Sequence, residues 1–464
     1  MLKVEREMQT GDRSVSLIDT LQYRRQQLAA LIECPVLLWS GVRLARNFPA
    51  NTFPFRASSH FLYFAGLPLE NAVIRLERGK LTLFMDADSP AGALWHGESP
   101  TPGAIAAQLG ADAVYPLANL PAWAEGCATI PVQASKTRSW QTQVLQRSFS
   151  STDQLQNQDL ELAKAIVTLR LTHDAKALTE LQKAAAISIQ AHLAGIKATR
   201  TAKTEVEVRA AMEAVMIAHN ATPAYTSIVT IQGEVLHNDR SYHPLRSGEL
   251  LLADVGAEVT TGWAADITRT WAVSGKFSPT QRAIYTVVLA AHDQCIAAMQ
   301  PGVEYREIHL LACRVMAEGL VDLGILRGNP ADLVEQDAHA LFFPHGIGHL
   351  LGLDVHDMED LGDLAGYAPG RSRSDRFGLG YLRLDRLLQA GMLVTIEPGF
   401  YQVPALLNDP ARRARYQDRV NWERLAEFTD VRGIRIEDDV LVTETGTQVL
   451  TADLPTAIAD LEEL

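Results

Sequence analysis

The sequence predicts an α+β protein of two domains, and three observations support this prediction. The chain has 464 residues, of which 47 % are hydrophobic and 21 % charged, a globular composition with length for two or three cores. Short apolar runs alternate with turn residues and helical segments through 1–130. A polar stretch at 147–159 then marks an exposed boundary. We therefore predict an N-terminal α/β domain at 1–164 and a second domain at 165–464.

The second domain is predicted to begin with two amphipathic helices. Thr172 and Asp174 are candidate N-caps of a long first helix, because apolar residues recur at helical spacing directly after them. Strands dominate from residue 225 onward, and helical segments at 278–299 and 305–326 separate the earlier strands from the later ones. This order predicts antiparallel strands with helices packed on one side.

Charge and cysteine content exclude several kinds of partner. The formal net charge of -13, from 55 acidic and 42 basic residues, argues against binding to nucleic acid or to an anionic membrane surface. The 4 cysteines are scattered without a CxxC pair, so we expect neither a zinc knuckle nor a disulfide framework. No apolar run reaches the ~18 residues of a spanning helix, and the charged N-terminal segment is unlike a signal peptide. We predict a cytoplasmic protein.

Asp254 and Asp266 are the first candidate site residues. They are 12 positions apart in a predicted hairpin that turns around 260–262, which would place them opposite one another, roughly 5 Å apart at Cβ. Two carboxylates so placed repel each other, whereas a divalent cation between them would stabilise the pair. Two unrelated surface aspartates near a turn remain an alternative from this hairpin alone.

Two glutamates and a histidine extend this set. Glu397 ends an apolar strand in "TIEPGFY", and Glu437 lies in "GIRIEDDVLV", where alternation places it on one face with Arg435 and Asp439. A salt-bridged surface strand would show the same pattern. His349 lies in "HGIGH", whose glycines disfavour a helix and allow the backbone to approach a site closely. Carboxylates with one imidazole suit a pair of Mn²⁺, Co²⁺, Zn²⁺ or Fe²⁺ ions and two-metal hydrolysis.

These motifs, in this order, resemble those of the methionine-aminopeptidase-like "pita-bread" metallopeptidases. The resemblance covers about 165–450 and is closest to the proline-specific branch, aminopeptidase P and prolidase, with weaker similarity in "FRASSHFLYFAGLPLENAV" and "ALWHG". It implies a creatinase-like N-terminal α/β domain followed by a pita-bread C-terminal catalytic domain. It also implies two divalent metal ions, most often Mn²⁺, and a homodimer or homotetramer.

The resemblance also implies a role for each ligand. Asp254 would hold one metal, Asp266 and Glu437 would bridge both, and His349 and Glu397 would complete the second. Two stretches, 361–387 and 402–430, are insertions relative to the shorter family members and lengthen the loops around the site.

Three further histidines match active-site residues of the family that are not ligands. His356 would donate a hydrogen bond to the developing oxyanion, while His237 and His345 would line the pocket for the proline ring. Glu397 would also accept the proton of the attacking water and pass it to the departing proline nitrogen. An Xaa-Pro bond lacks an N–H, so a pocket that requires no such donor can admit proline.

Three arginines and one tryptophan bear on the choice between aminopeptidase P and prolidase. A dipeptidase must bind a free carboxylate, for which Arg383, Arg386 and Arg435 are candidates, although Arg383 and Arg386 would also suit a solvated loop. Trp95 in "ALWHG" is similar to a tryptophan of aminopeptidase P that lies near a neighbouring subunit's site. We therefore predict an Xaa-Pro aminopeptidase that acts on peptides. An Xaa-Pro dipeptidase is the alternative, with a non-catalytic binding protein or a metal-free amidinohydrolase less favoured.

Overall fold

The computed structural model describes residues 16–149 and 154–464. The chain divides into two compact units between Leu169 and Arg170. The predicted domain boundary at 164/165 falls inside a continuous helix, Asn157–Arg170, and the division lies at the C-terminal end of that helix. Among the described residues, no helix has both the length and the apolar character needed to cross a membrane.

The first unit is built on a five-stranded mixed sheet. Its strands are β1 (Val36–Trp39), β2 (Val73–Glu77), β3 (Lys80–Phe84), β4 (Ala113–Tyr115) and β5 (Ala128–Thr129), in the order β4-β3-β2-β1-β5. Its helices are α1 (Leu17–Leu31), α2 (Ser59–Ala65), α3 (Pro90–His96), α4 (Pro102–Leu109), α5 (Ser135–Leu145) and α6 (Asn157–Arg170). Strand β1 runs antiparallel to β2 and parallel to β5, and all four of its residues are buried. The predicted α/β character of this part is confirmed.

Long helices open the second unit, as predicted. Asp174 caps α7 (Ala175–Thr199), because its side chain accepts a hydrogen bond of 2.8 Å from the amide of Ala177. The later helical segments form α9 (Pro279–Ala298), which follows a complete capping box at Ser278, and α10 (Tyr305–Asp322). The helices of this unit after α7 are α8 (Glu205–Ala218), α9 (Pro279–Ala298), α10 (Tyr305–Asp322), α11 (Pro330–Glu335), α12 (Asp363–Gly366), α13 (Pro404–Leu407), α14 (Pro410–Arg415), α15 (Trp422–Leu425) and α16 (Ile458–Glu463).

Antiparallel pairing dominates the strands of the second unit and confirms the predicted fold class. The strands are β6 (Thr222–Pro223), β7 (Ile228–Thr230), β8 (Leu250–Asp254), β9 (Ala257–Glu258), β10 (Thr268–Ala272), β11 (Leu393–Ile396), β12 (Gly399–Tyr401), β13 (Gly433–Arg435), β14 (Asp438–Val442) and β15 (Thr447–Val449). They form the ladders β10-β8-β7, β11-β14-β15, β12-β13 and β6-β9. An isolated bridge between Thr268 and Glu437 joins the first ladder to the segment between β13 and β14.

Buried histidines in this unit give the stability a defined dependence on pH. His339 is buried, neither of its ring nitrogens has a hydrogen-bond partner among the described residues, and burial lowers its pKa to about 3. Burial likewise lowers the pKa of His309 to about 4. A lowered folded-state pKa means that the unfolded chain binds the proton more tightly, so stability is complete above about pH 6.5 and falls as the pH drops toward the folded value.

We therefore expect the His339→Leu variant to lose less stability in acid than the wild type. Each unit of pH below about 6.5 should cost the wild type about 1.4 kcal/mol through this one group, and removing the imidazole removes that cost. Urea unfolding at several pH values between 7 and 5 measures the difference. Leucine at the exposed His219 is the control and should leave the slope unchanged; equal slopes for His339→Leu and wild type would contradict the prediction.

Candidate metal centre and active site

Asp254 and Asp266 lie close together, but not as a directly opposed pair. The β8–β10 ladder pairs Asp254 with Thr268, and Asp266 lies two residues before Thr268, ahead of the strand. The hydroxyl oxygen of Tyr225 lies 2.6 Å from Oδ1 of Asp254 and 2.5 Å from Oδ1 of Asp266. The predicted register is therefore wrong. The hairpin keeps one register, because Glu258 pairs with Ala264 and the amide of Ala265 donates to the carbonyl of Ala257 at 3.0 Å. The physical reason is that the turn is centred on Thr261, one residue later than predicted, which shifts the partner of Asp254 by two residues.

The glycine-rich segment that carries His349 runs beside strand β11. The amide of Thr395 donates to the carbonyl of His349 at 3.0 Å, and the amide of Glu397 donates to that of Ile347 at 2.8 Å. A Cβ at Gly348 would lie 2.1 Å from the carbonyl oxygen of Thr395, so this position needs glycine. The predicted close approach of the backbone is made to β11, and it holds His349 beside Glu397.

Three of the predicted ligands form one tight group. Ligand atoms of Asp266, His349 and Glu437 all lie within 4.8 Å of one another, and all three residues are buried. Nε2 of His349 is 3.4 Å from Oδ2 of Asp266 and 3.8 Å from Oε1 of Glu397. The hydroxyl of Thr268 donates to Oε2 of Glu437 at 2.6 Å. The five predicted ligands all line one cavity of about 520 Å³.

The electrostatics of this cluster fit a cationic ligand. Burial raises the pKa of Asp254 to about 6 and that of Glu397 to about 7, and the neighbouring carboxylates add to the increase for Glu397. Burial and the charges of Asp266 and Glu397 raise the pKa of Glu437 well above its ordinary value. Four carboxylates in one cavity, three of them buried and Glu397 half-buried, cannot all ionise beside one another without compensating positive charge. Hard oxygen donors with one imidazole are suited to divalent ions, so these residues fit a divalent metal centre.

The three non-ligand histidines line the same cavity. Nδ1 of His345 is 2.7 Å from the carbonyl oxygen of Gly346, its Nε2 is 2.9 Å from the Tyr401 hydroxyl, and burial lowers its pKa to about 3. The ring centroid of His356 is 4.2 Å from that of His349. Burial also lowers the pKa of His356 and of His237. All three imidazoles are therefore favoured in the neutral form.

The backbone at His356 adopts a left-handed conformation, with φ of 60°. Such a conformation in a non-glycine residue costs energy and persists where the surroundings hold it. Here the neighbouring Asp357 accepts a hydrogen bond of 2.6 Å from the buried Arg170, and its Oδ1 also accepts from the amide of Asp354 at 3.0 Å. Arg170 thus fixes the loop that carries His356.

The arginines predicted to bind a substrate carboxylate have partners within the chain. Nε, Nη1 and Nη2 of Arg435, which lines the cavity, donate to Thr268, Tyr401 and Asp254, so this guanidinium supports a predicted ligand. Nη2 of Arg386 donates to the backbone carbonyls of Leu364 and Tyr367, and Arg386 is not among the residues that line the cavity. Loop sequence alone does not reveal such backbone acceptors.

The third arginine and the tryptophan have different surroundings. Arg383 lines the cavity, and its Nη1 binds both carboxylate oxygens of Glu359 at 2.8 and 2.7 Å. Trp95 lies on α3 of the first unit with 78 % of its surface exposed, next to Leu94, which is 79 % exposed.

Several supporting residues carried no recognisable motif. Tyr225 and Tyr401 belong to apolar strand-like segments, where a tyrosine is unremarkable in sequence. Asp439 is an exception, since alternation placed it on the face of Glu437, and both of its carboxylate oxygens lie within 3.3 Å of the amide nitrogen of Asp266. Such supporting contacts join residues far apart in the chain and become visible only in the fold.

A two-unit α/β and α+β chain with buried carboxylates and imidazoles around one cavity defines the class of metal-dependent hydrolases. Residues 179–444 match the model of metallopeptidase family M24, and residues 21–129 match that of the aminopeptidase P N-terminal domain. The chain belongs to metallopeptidase family M24, and its predicted resemblance to the aminopeptidase P branch is confirmed.

Curated relatives and solved structures support the same branch. The chain is 33 % identical over 415 residues, 86 % of this chain and 85 % of the relative, to a probable Xaa-Pro aminopeptidase of Fusarium vanettenii. It is 32 % identical to one of Neosartorya fischeri, with 93 % of each chain covered. Aminopeptidase P of E. coli with the inhibitor Pro-Leu is 27 % identical, with a TM-score of 0.78 over 96 % of this chain and 97 % of that chain. Proline aminopeptidase P II of Yersinia pestis is 28 % identical, with a TM-score of 0.76 over 96 % and 98 %.

Proposed function

We propose that this chain is a dinuclear metal-dependent Xaa-Pro aminopeptidase, which releases the N-terminal residue from peptides with proline in second position. The observation that carries the proposal is a single cavity lined by five metal-type ligands, four of them buried and Glu397 half-buried, together with three further histidines. A non-catalytic binding protein would not need buried carboxylates whose mutual repulsion destabilises the metal-free fold.

The five ligands would hold two divalent ions, most suitably Mn²⁺. Asp254 would hold one ion, His349 and Glu397 would hold the second, and Asp266 and Glu437 would be shared between them. When bound, the ions lower the pKa of a water and polarise the scissile carbonyl. Oxygen-rich sites with a single imidazole favour Mn²⁺ over softer ions, which supports this choice of metal.

Glu397 and His356 carry the proton transfer and the oxyanion contact. Glu397, which lines the cavity with its Oε1 3.8 Å from Nε2 of His349, would accept the proton of the attacking water and release it to the leaving proline nitrogen. His356, held by the Arg170–Asp357 contact and favoured in the neutral form, offers one N–H toward the carbonyl oxygen as charge develops there.

The remaining cavity wall suits a proline ring. His237 and His345 are neutral, and Phe377, Val403 and Leu406 add apolar surface to the same cavity. Admitting a tertiary amide by shape requires no acceptor for an N–H at this position.

We also propose a homodimer or homotetramer that acts in the cytoplasm. The two adjacent exposed apolar side chains, Leu94 and Trp95, suit a contact with a second subunit, where Trp95 would meet the neighbour's substrate. The four unpaired cysteines support a reducing compartment.

The test compares Ala-Pro with Ala-Pro-Ala as substrates of metal-stripped protein, with and without Mn²⁺, by following released alanine. We expect Mn²⁺-dependent cleavage of the tripeptide, together with a Mn²⁺-dependent rise in melting temperature, since binding at a hundredfold excess over Kd stabilises a protein by about 2.7 kcal/mol. Cleavage of the dipeptide alone would assign an Xaa-Pro dipeptidase. If none of Mn²⁺, Co²⁺ and Zn²⁺ supports cleavage or stabilises the protein, the result would favour a non-catalytic protein.

A further inference from the structure

Six of the residues that line the cavity beyond the metal ligands and histidines belong to the two inserted segments, 361–387 and 402–430. The first contributes Phe377, Tyr381 and Arg383, and the second contributes Val403, Leu406 and Arg412. The outer part of the substrate cavity is therefore shaped by sequence that lies outside the ligand motifs.

Three arginines line this cavity among the described residues, and they differ in their charge partners. Arg435 is paired with Asp254, and Arg383 is paired with Glu359. Arg412 has no carboxylate partner within 4 Å in the part of the chain that the structure describes. Within residues 16–149 and 154–464, Arg412 is therefore the one cation of this cavity that has no carboxylate partner.

The side chain of Arg412 packs against the protein and does not extend freely into solvent. It lies on α14, whose start is capped by Asp409, and its guanidinium carbon is 4.1 Å from the ring centroid of Phe377. Nη1 of Arg412 is buried and makes no hydrogen bond to a described residue. A buried donor without a partner is costly, and a guanidinium stacked on an aromatic ring presents its edge for a bidentate contact.

We propose that Arg412 binds the C-terminal carboxylate of short peptide substrates and so favours peptides such as Xaa-Pro-Yaa over longer or blocked ones. The inference rests on the proposed aminopeptidase function. The metal ligands and histidines account for the N-terminal side of such a substrate and its scissile bond, and its remaining full negative charge is the terminal carboxylate. A charge-assisted bidentate contact there would satisfy Nη1 and neutralise the guanidinium.

The experiment compares Ala-Pro-Ala with its C-terminal amide, Ala-Pro-Ala-NH₂, on the Mn²⁺-loaded full-length protein. We expect kcat/KM to be about 10- to 100-fold higher for the free acid, mainly through KM, because a hydrogen bond to a charged group contributes about that factor. Arg412→Leu should lower kcat/KM for the acid to the value for the amide and leave the amide unchanged. Arg412→Lys should retain part of the preference.

Arg415→Leu is the matched control, since Arg415 lies on the same helix, is exposed and is not among the residues lining the cavity. Equal rates for acid and amide in the wild type, or loss of the preference in Arg415→Leu as well, would overturn the proposal. A third outcome would also overturn it. If the wild type cleaves the acid and the amide of Ala-Pro-Ala equally but prefers Ala-Pro-Glu-NH₂ over Ala-Pro-Gln-NH₂, and Arg412→Leu removes that preference, Arg412 binds a side-chain carboxylate and not the terminal one. Failure of the wild type to cleave any of these peptides would instead reject the proposed function.

Discussion

Glu397→Gln is expected to lower kcat for Ala-Pro-Ala by about 10²- to 10⁴-fold, the range that a positioned general base contributes. Glutamine keeps the size of the side chain and one oxygen donor but cannot accept the proton. The amide of Glu397 would still bond to Ile347, so the segment that carries His349 should stay in place. Stopped or coupled assays of alanine release, run with Mn²⁺ in excess, measure the change.

Metal content is the control for this variant. Glu397 is also a proposed ligand, and its Oε1 lies 3.8 Å from Nε2 of His349, so weaker metal binding alone could lower the rate. If metal analysis shows two ions per chain at saturation and kcat still falls, the loss belongs to proton transfer. A Glu397→Gln variant with wild-type kcat at full metal occupancy would remove the assigned role.

The metal-type residues could be predicted because each has a local signal. Glu397 ends an apolar strand before a Pro-Gly pair, Glu437 follows an alternating strand, and His349 lies between glycines. The register of Asp254 and Asp266 could not be predicted in the same way. It depends on the turn being centred on Thr261 and not on Thr260, and two neighbouring threonines before Gly262 give no local signal that separates the two positions.

The contacts of charged side chains could not be predicted from the sequence either. The sequence placed Arg383, Arg386 and Arg435 near the site, but which of them could meet a substrate depends on their partners in the fold. Arg412, in an insertion with three further arginines nearby, carried no signal that separated it from its neighbours. In the structure, Arg412 differs from those arginines because its guanidinium lies over the ring of Phe377, a residue of the other insertion.

A second large effect is expected behind the metal centre, at Asp438. Its carboxylate lies 2.8 Å from Nη2 of Arg269 and 3.0 Å from Nε2 of His292, and it accepts a hydrogen bond of 2.5 Å from Thr451. Despite burial, the charges of Arg269 and His292 hold the pKa of Asp438 at about 2. Nη1 of Arg269, which is fully buried, donates to the backbone carbonyls of Thr268 and Glu437.

Asp438→Asn should therefore destabilise the protein by about 3 to 5 kcal/mol, since it leaves the buried Arg269 without its counter-charge. Denaturant unfolding of the metal-free protein measures this loss. Asp293→Asn is the matched control: Asp293 bonds the other nitrogen of His292 but is largely exposed, so its substitution should cost less than about 1 kcal/mol. Equal losses in the two variants would contradict the role given to the buried pair.

The same substitution should weaken metal binding by about 10- to 100-fold, the usual effect of removing a group that orients a ligand. Arg269 holds the backbone of Glu437 and of Thr268, and Thr268 in turn donates to the Glu437 carboxylate. A shift of that backbone moves Glu437 relative to Asp266 without changing any ligand. Calorimetric titration with Mn²⁺ under conditions where Asp438→Asn remains folded separates this effect from unfolding, and an unchanged Kd would show that Arg269 and Asp438 serve stability alone.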